Sequence, residues 1–249
     1  MTDERVAELE TKVIGEMTVD FIFYHIEKCG GSSLRLSLYD YFSNIYSRDE
    51  IFIPAKTNMN FVRKHLPVIC DKYDCSKLKV ILSHMSDGFP YKHLQIPTQM
   101  KFTCVRNPID RIISHYYFFD FPKTKIDMID LDSNTFRQYC KVMGKIQTDR
   151  MGCLNKKGFT TATIIKKYVQ SFYFICVIEN LKEDLKQLNE MLNTTYSCTH
   201  VIKEYTTNIG KAEIKKYSEL KEKIAKIPFY DIILYNEVLA HKNSQVSRK

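Results

Sequence analysis

No apolar run in this chain of 249 residues approaches the roughly 20 consecutive residues that a helix needs to cross a bilayer. The stretch from Met1 to Met17 is charged and lacks the apolar region of a secretory signal peptide. As it stands, the chain is therefore expected to be a soluble cytoplasmic protein.

The eight cysteines include no C-x-x-C pair and no Cys/His spacing typical of a metal site. Cys29 falls in a predicted turn, and Cys104 and Cys176 fall in apolar runs that predict strands. We therefore expect scattered buried thiols in a reducing compartment, with disulfide pairing left open as the alternative.

The chain also lacks internal repeats, low-complexity linkers and any motif of an RNA- or DNA-binding module. Its net charge is +8, but many of its lysines lie in stretches such as 211–226, where Lys and Glu alternate. That pattern indicates a solvated helix face, so nucleic acid is not expected as a partner. Hydrophobic residues make up 44% of the chain, which predicts one domain over residues 18–249 after a poorly defined N-terminal extension over 1–17.

Short runs rich in β-branched and aromatic residues predict four strands, at 21–26, 79–82, 101–105 and 172–177. Helical periodicity in the intervening and following segments predicts helices over 31–42, 108–118, 133–143, 161–168, 181–192, 211–226 and 230–241. This alternation predicts an α/β fold with a central, mainly parallel sheet flanked by helices.

Only eight glycines occur in the chain, and an adjacent pair follows the first predicted strand, in the segment His25-Ile26-Glu27-Lys28-Cys29-Gly30-Gly31-Ser32-Ser33. A strand, a glycine turn and a helix place backbone N–H groups at the positive end of the helix dipole, where phosphate and sulfate bind. Gly30 and Gly31 allow close approach of an anion, Ser32 and Ser33 offer hydroxyls, and Lys28 adds a positive charge. Because the lysine precedes the glycines, this is not a Walker loop. Taken alone, the pair fits an ordinary tight turn equally well.

A second strand, 101–105, is followed by Arg106 at the predicted carboxyl edge of the sheet, where open α/β folds bind ligands. Asn107 suits the cap of the next helix and Pro108 its first position. Ser114 lies roughly 9 Å along that helix from Pro108. Arg106 and Ser114 could therefore hold a second phosphate, while a surface salt bridge and a packed helix serine are the alternatives.

Together the two segments resemble the P-loop-like sulfotransferases that depend on 3′-phosphoadenosine 5′-phosphosulfate (PAPS), above all the carbohydrate branch that includes the heparan sulfate 2-O- and 6-O-sulfotransferases. Residues 25–33 are similar to the family's 5′-phosphosulfate loop, His-Ile-x-Lys-Thr-Gly-Gly-Thr-Ser. Residues 105–117 are similar to its 3′-phosphate motif, Leu-Arg-(Asp/Asn)-Pro-x-x-Arg-x-x-Ser-x-(Tyr/Trp)-Tyr. Further segments resemble a Gly-His-Phe segment at 82–90, a strand and acidic helix at 176–185, and a C-terminal Asp-x-x-Leu-Tyr signature at 230–235.

This resemblance implies a P-loop NTPase-like three-layer fold and transfer of sulfate from PAPS to a hydroxyl, on a carbohydrate or another acceptor. Lys28 and the backbone of Cys29, Gly30, Gly31, Ser32 and Ser33 would hold the 5′-phosphate, and Arg106 with Ser114 the 3′-phosphate. His84 is the expected general base, with His93, His115 and Glu27 as rivals. No metal ion is expected, since Lys28 would supply the positive charge. Because relatives that act on glycans usually carry an N-terminal membrane anchor, the Golgi lumen is the alternative location if such an anchor was removed.

The chain departs from the family at three places. Cys29 replaces a threonine, Glu27 replaces a residue that is usually uncharged, and Gln147-Thr148-Asp149-Arg150 is only loosely similar to a Gln-Thr-Arg segment. A carboxylate at Glu27 should be unfavourable beside a dianion unless it turns toward Lys28 or solvent. A P-loop nucleotide kinase and a non-catalytic module for nucleotide or anionic glycan are the alternative functions.

Overall fold

The computed structural model of this chain describes residues 19–53, 77–83, 101–116, 133–154, 158–192 and 211–246. The strands in these ranges are β1 (Phe21–Tyr24), β2 (Ile51–Phe52), β3 (Val80–Ser83), β4 (Lys101–Val105) and β5 (Phe174–Val177). The α-helices are α1 (Gly31–Phe42), α2 (Pro108–His115), α3 (Asn134–Met143), α4 (Ile146–Arg150), α5 (Ala162–Ser171), α6 (Leu181–Met191), α7 (Lys211–Ala225) and α8 (Tyr230–Val246). The N-terminal extension predicted over 1–17 lies outside the described residues, and the domain limits stay a prediction.

The five strands form one sheet in the order β2-β3-β1-β4-β5, and every neighbouring pair is parallel. All four residues of β1 and all four of β5 are buried. Such continuous apolar runs are typical of parallel strands that are covered on both faces. The predicted α/β fold with a central parallel sheet and helices around it is therefore confirmed.

The strand order creates a switch point beside β1. From β1 the chain leads to β2 and β3 on one side, whereas β4 and β5 extend the sheet on the other side. Strands β1 and β4 are also joined by a side chain, because Thr103 Oγ1 donates a hydrogen bond of 2.9 Å to the carbonyl oxygen of Tyr24. Ligands of open α/β sheets bind outside the carboxyl ends of the strands at such a switch point. The segments that follow β1 and β4 meet there.

Helix α1 is anchored to the sheet by one apolar face. Leu34, Leu38 and Phe42 recur at a spacing of four residues and are at most 5% exposed. The ring of Phe42 lies 4.2 Å from that of Phe21 in β1. Burying a side chain of this size contributes about 1.5–3 kcal/mol. The N-terminus of α1 is thereby held at the carboxyl end of β1.

The last helix, α8, packs back on the core, as its apolar spacing predicts. Leu234 and Val238 are fully buried. Near its end, Lys242 Nζ lies 2.8 Å from Asp184 Oδ1 and donates to the carbonyl oxygen of Ile175 at 3.0 Å. The other carboxylate oxygen of Asp184 accepts from the Val177 N–H at 2.6 Å. A buried ion pair therefore joins α8 to α6 and β5.

A second, smaller apolar cluster joins helices α2, α3 and α7, and its buried members are Ile112, Ile113, Tyr116, Phe136, Cys140, Leu220 and Ile224. Five cysteines within the described residues are buried thiols, namely Cys29, Cys104, Cys140, Cys153 and Cys176. For these five, the predicted scattered buried thiols are confirmed. The described part of the chain contains no helix that is both long enough and apolar enough to span a membrane.

Candidate functional site

The turn between β1 and α1 has an unusual backbone. Of the described non-glycine residues, Lys28 alone has a positive φ, of 63°, and Gly30 follows with a φ of 71°. A lysine in this region is strained, and such strain tends to occur at ligand sites. A Cβ on Gly30 would also collide with Ile178, and one on Gly31 with the buried ring of His25. Conformation therefore favours glycine at position 30, and packing favours glycine at both of the adjacent positions that the sequence singled out.

The N-terminus of α1 opens on this turn. Gly30 is its cap residue and has no side chain that could bond to the first N–H groups of the helix, which lack partners within any α-helix. Gly31, Ser32 and Ser33 form the first turn. The N–H of Cys29 is directed to the carbonyl oxygen of Ile26 at 3.4 Å, within the turn itself. The geometry therefore leaves the N-terminal N–H groups of α1 available to an anion, while binding of an anion there and the contribution of Cys29 to it stay predictions.

The side chain of Cys29 faces the protein interior. It is fully buried, and its Sγ lies 3.4 Å from Gln147 Oε1, to which it donates. Burial raises the pKa of the Cys29 thiol far above its usual value, so the group stays protonated. At the position where the related family has a threonine, this chain therefore has an inert thiol that contacts Gln147.

The segment after β4 touches the turn after β1. Arg106 Nη1 donates to the carbonyl oxygen of Lys28 at 3.3 Å. Burial, and then the charge of Arg106, lower the pKa of the Lys28 ammonium. Two cations beside one another disfavour the charged state of the lysine, and an anion bound between them would relieve that cost. The pair that the sequence assigned to two phosphates is thus brought together by the fold.

Helix α2 begins as the sequence predicts. Asn107 Oδ1 accepts from the N–H groups of Ile109 and Asp110 at 3.0 and 3.4 Å, and Pro108 is the first helical residue. The N–H of Asn107 itself donates to Glu179 Oε1 at 2.8 Å. Ser114 lies partly buried near the end of the same helix. Its predicted contact with a 3′-phosphate stays a prediction.

Two of the four candidate general bases, His115 and Glu27, lie within the described residues, and the other two do not. Ser83, the last residue of β3, is the register partner of Tyr24, so β3 ends at the same edge of the sheet as β1. The next residue in the chain, His84, lies outside the described residues, and so does His93. His115 Nδ1 lies 2.9 Å from the hydroxyl oxygen of Tyr139, at the end of α2 opposite to Arg106.

The carboxylate of Glu27 turns toward Arg150 of α4. Its carboxylate forms a two-point ion pair with Arg150, with Oε1 2.6 Å from Nη2 and Oε2 3.3 Å from Nε. The side chains of Glu27 and Arg150 are 24% and 15% exposed. Bidentate pairing of this kind is the stronger form of a carboxylate–guanidinium contact. The negative charge beside the glycine turn is therefore compensated by a residue of α4.

Helix α4 contributes residues that the sequence did not assign to the site. Gln147 Oε1 accepts from the N–H of Arg106 at 2.9 Å, and Gln147 Nε2 donates to the carbonyl oxygen of Arg106 at 3.0 Å. The only sequence signal was the loose similarity of 147–150 to a Gln-Thr-Arg segment. A helix of five residues is too short to show a period, so nothing in the spacing predicted these contacts.

Helix α4 is itself fixed by Asp231, the acidic residue of the Asp-x-x-Leu-Tyr signature. Asp231 accepts from the N–H of Gln147 at 3.1 Å and from the N–H and hydroxyl of Thr148 at 2.8 and 2.7 Å. Arg111 Nη2 lies 3.8 Å from the same carboxylate, and both side chains are fully buried. Burial raises the pKa of Asp231, and the charge of Arg111 and the hydrogen bonds oppose that rise.

The tyrosine of the same signature reaches the start of α2 through one carboxylate. Tyr235 donates to Glu179 Oε2 at 3.1 Å, and Glu179 Oε1 receives the N–H of Asn107. Burial, and then the charge of Glu179, raise the pKa of Tyr235. The segment after β5 and helix α8 therefore support the residues that follow β4.

A groove of about 480 Å³ lies on a different surface, between α3 and the α7–α8 turn, and is lined by Phe136, Arg137, Lys141, Lys223, Lys226, Ile227 and Pro228. None of the residues predicted to bind the donor lines it. Within the described ranges, no group of three or more His, Cys, Asp or Glu side chains could hold a metal ion.

Residues 16–236 match the family model described as "Sulfotransferase family". No individual curated protein matches the chain significantly. The matched stretch includes the glycine turn, Arg106, helix α4 and the signature at the start of α8.

Proposed function

The chain belongs to the sulfotransferase family, and we propose that it moves the sulfuryl group of PAPS to an acceptor hydroxyl on a carbohydrate. The observation that carries this proposal is the contact between the two cationic segments. Arg106 Nη1 lies 3.3 Å from the carbonyl oxygen of Lys28, directly before the open N-terminus of α1. PAPS carries phosphate groups at the 5′ and 3′ positions of its ribose, so its binding needs two such anion sites side by side.

The residues of the turn fit the 5′ end of this donor. Gly30 provides the positive φ that the turn needs, and the first N–H groups of α1 point out of the helix end. Burial and Arg106 lower the pKa of Lys28, so a bound anion would stabilise the charged form of its ammonium group. Lys28 would neutralise the charge that develops on the departing phosphate, which is the largest single contribution in many transfer reactions.

The second anion site would select the donor. Arg106 and Ser114 would hold the 3′-phosphate, and the carboxylate of Glu179 fixes the backbone at Asn107 between them. A guanidinium binds phosphate through two parallel N–H groups, which adds geometric selection to charge. The protein would thereby hold donor and acceptor in line, and positioning of this kind supplies much of the rate in group transfer.

His84 would take the proton of the acceptor hydroxyl. A histidine has an ordinary pKa near 6.5, and a well-placed general base contributes about 10²- to 10⁴-fold. We expect His84→Ala to abolish transfer from labelled PAPS while binding of the product, 3′-phosphoadenosine 5′-phosphate (PAP), stays near that of the unmodified chain. Turnover retained by His84→Ala would remove His84 from this role.

Thermal shift measurements with nucleotides test the donor assignment. We expect PAP to stabilise the chain without metal, and more than ATP does with or without Mg²⁺. Arg106→Ala should lose most of the stabilisation by PAP, and the exposed Arg137→Ala in α3 should keep it. A preference for ATP that requires Mg²⁺ would favour a nucleotide kinase instead. A panel of glycans and small hydroxyl compounds assayed with labelled PAPS would then identify the acceptor.

A further inference from the structure

The side-chain amide of Gln147 bonds to both segments that the proposed function assigns to the donor. Its oxygen accepts from the N–H of Arg106 at 2.9 Å and from the thiol of Cys29 at 3.4 Å. Its nitrogen donates to the carbonyl oxygen of Arg106 at 3.0 Å. One buried side chain therefore spans the turn after β1 and the residue after β4.

The two bonds to Arg106 fix the backbone of that residue. Strand β4 ends at Val105, so Arg106 lies beyond the strand. Gln147 bonds to its N–H and its C=O together, much as a neighbouring strand would. The starting point of the Arg106 side chain is thereby defined relative to Lys28, which it contacts through Nη1.

Gln147 is well suited to fix the backbone of Arg106, because Gln147 is itself held rigidly. Its side chain is fully buried, and its N–H donates to the buried carboxylate of Asp231. Thr148 adds two further bonds to that carboxylate. Because a buried amide that loses its hydrogen-bond partners is costly, the bonded arrangement is strongly preferred over alternatives.

We propose that Gln147 is a positioning residue that sets the spacing between the two phosphate sites and so makes the protein select nucleotides that carry a 3′-phosphate. The inference rests on the proposed function for the identity of the ligand. Gln147 does not need to touch the nucleotide, since it acts through the backbone of Arg106 and the side chain of Cys29.

A purely structural role for Gln147 would change stability alone. The two roles are separated by the ratio of two dissociation constants measured on the same variant, for PAP and for adenosine 5′-phosphate, which lacks the 3′-phosphate. Because both constants refer to the folded fraction of one preparation, a loss of stability cancels from the ratio. A displacement of Arg106 does change the ratio, because Arg106 is assigned to the 3′-phosphate, which PAP has and adenosine 5′-phosphate lacks.

The test compares Gln147→Met with Gln170→Met by isothermal titration with each nucleotide. Gln170 is exposed on α5 and serves as the matched control. We expect the unmodified chain and Gln170→Met to bind PAP more tightly than adenosine 5′-phosphate, and Gln147→Met to lose about tenfold or more of that preference. If folded Gln147→Met keeps the preference for PAP, even with a lower melting temperature, the inference is overturned.

Gln147→Asn provides the second variant if Gln147→Met does not fold. It keeps an amide in the site but is shorter by one C–C bond of about 1.5 Å, so it cannot reach Arg106 and Cys29 together. The same loss of preference is expected, and an unchanged ratio would again contradict the inference. If the unmodified chain itself shows no preference for PAP, the proposed function fails, and the inference fails with it.

Discussion

Replacing Arg150 by alanine is expected to weaken binding of PAP although Arg150 is not assigned any contact with the nucleotide. In the folded protein its guanidinium neutralises Glu27 through contacts of 2.6 and 3.3 Å. Removing it leaves a carboxylate one residue before Lys28, beside the proposed site of the 5′-phosphate. The variant should therefore repel the anion that the turn attracts.

The size of the effect follows from the short path between Glu27 and the helix end. Glu27 and Gly30 are three Cα steps apart, which separates their Cα atoms by at most about 11 Å, and we take roughly 10 Å as the distance from the carboxylate to a phosphate at that end. Two unit charges at about 10 Å and an effective dielectric constant near 20 interact by about 1.7 kcal/mol. Screening over a Debye length of about 8 Å reduces this to about 0.5 kcal/mol, or about 1 kcal/mol for a dianion. We expect about a fivefold loss of affinity.

Isothermal titration with PAP at physiological salt measures this change, and the double variant Glu27→Gln/Arg150→Ala is the control. Since the double variant has neither charge, it should bind PAP about as well as the unmodified chain. The deficit of Arg150→Ala alone should also shrink as salt is raised. If the double variant binds as weakly as Arg150→Ala, Arg150 contacts the nucleotide directly and the reasoning is refuted.

Three further outcomes are expected. Burial and Arg106 lower the pKa of Lys28, so above that pKa the binding of PAP should be coupled to uptake of a proton by Lys28, and the affinity for PAP should fall as pH rises. Isothermal titration in buffers of different ionisation enthalpy measures this proton uptake, and Lys28→Met should remove it. Because burial raises the pKa of Cys29, mass spectrometry should find this thiol unmodified after iodoacetamide treatment of the native chain, and rapid native labelling would contradict its burial. Asp231→Ala leaves the buried Arg111 without its carboxylate and should cost about 3–5 kcal/mol in urea unfolding, whereas a cost under about 1 kcal/mol would show that the pair is not essential.

Local signals explain why much of the fold could be predicted from the sequence. Helix α1 begins at the glycine pair and ends at Phe42, and α2 begins at Pro108 after the Asn107 cap, as expected. Four of the five strands, β1, β3, β4 and β5, were predicted to within one or two residues, because parallel strands buried on both faces appear as short apolar runs. Strand β2 has only two residues and α4 only five, so neither shows a period that a sequence pattern could reveal.

The site could be predicted only in part, for a related reason. Lys28 and Arg106 each follow an apolar strand, and the topology of a parallel sheet brings such positions to one edge. Gln147 has no comparable signal, because its partners Arg106 and Cys29 lie 41 and 118 residues away in the chain. Its place is decided by the bonds of α4 to Asp231, which form only when α8 packs on the core. The role of His84 stays a prediction.

The departures of this chain from the related family are linked to one another through α4. Cys29 contacts Gln147, and Glu27 pairs with Arg150, so both unusual residues of the turn meet the same short helix. Arg150 lies three residues after Gln147 in α4. Residues three apart share a face of a helix, whereas residues two apart do not. One face of α4 therefore supplies both the amide that holds Cys29 and the cation that neutralises Glu27, while Thr148 bonds to Asp231.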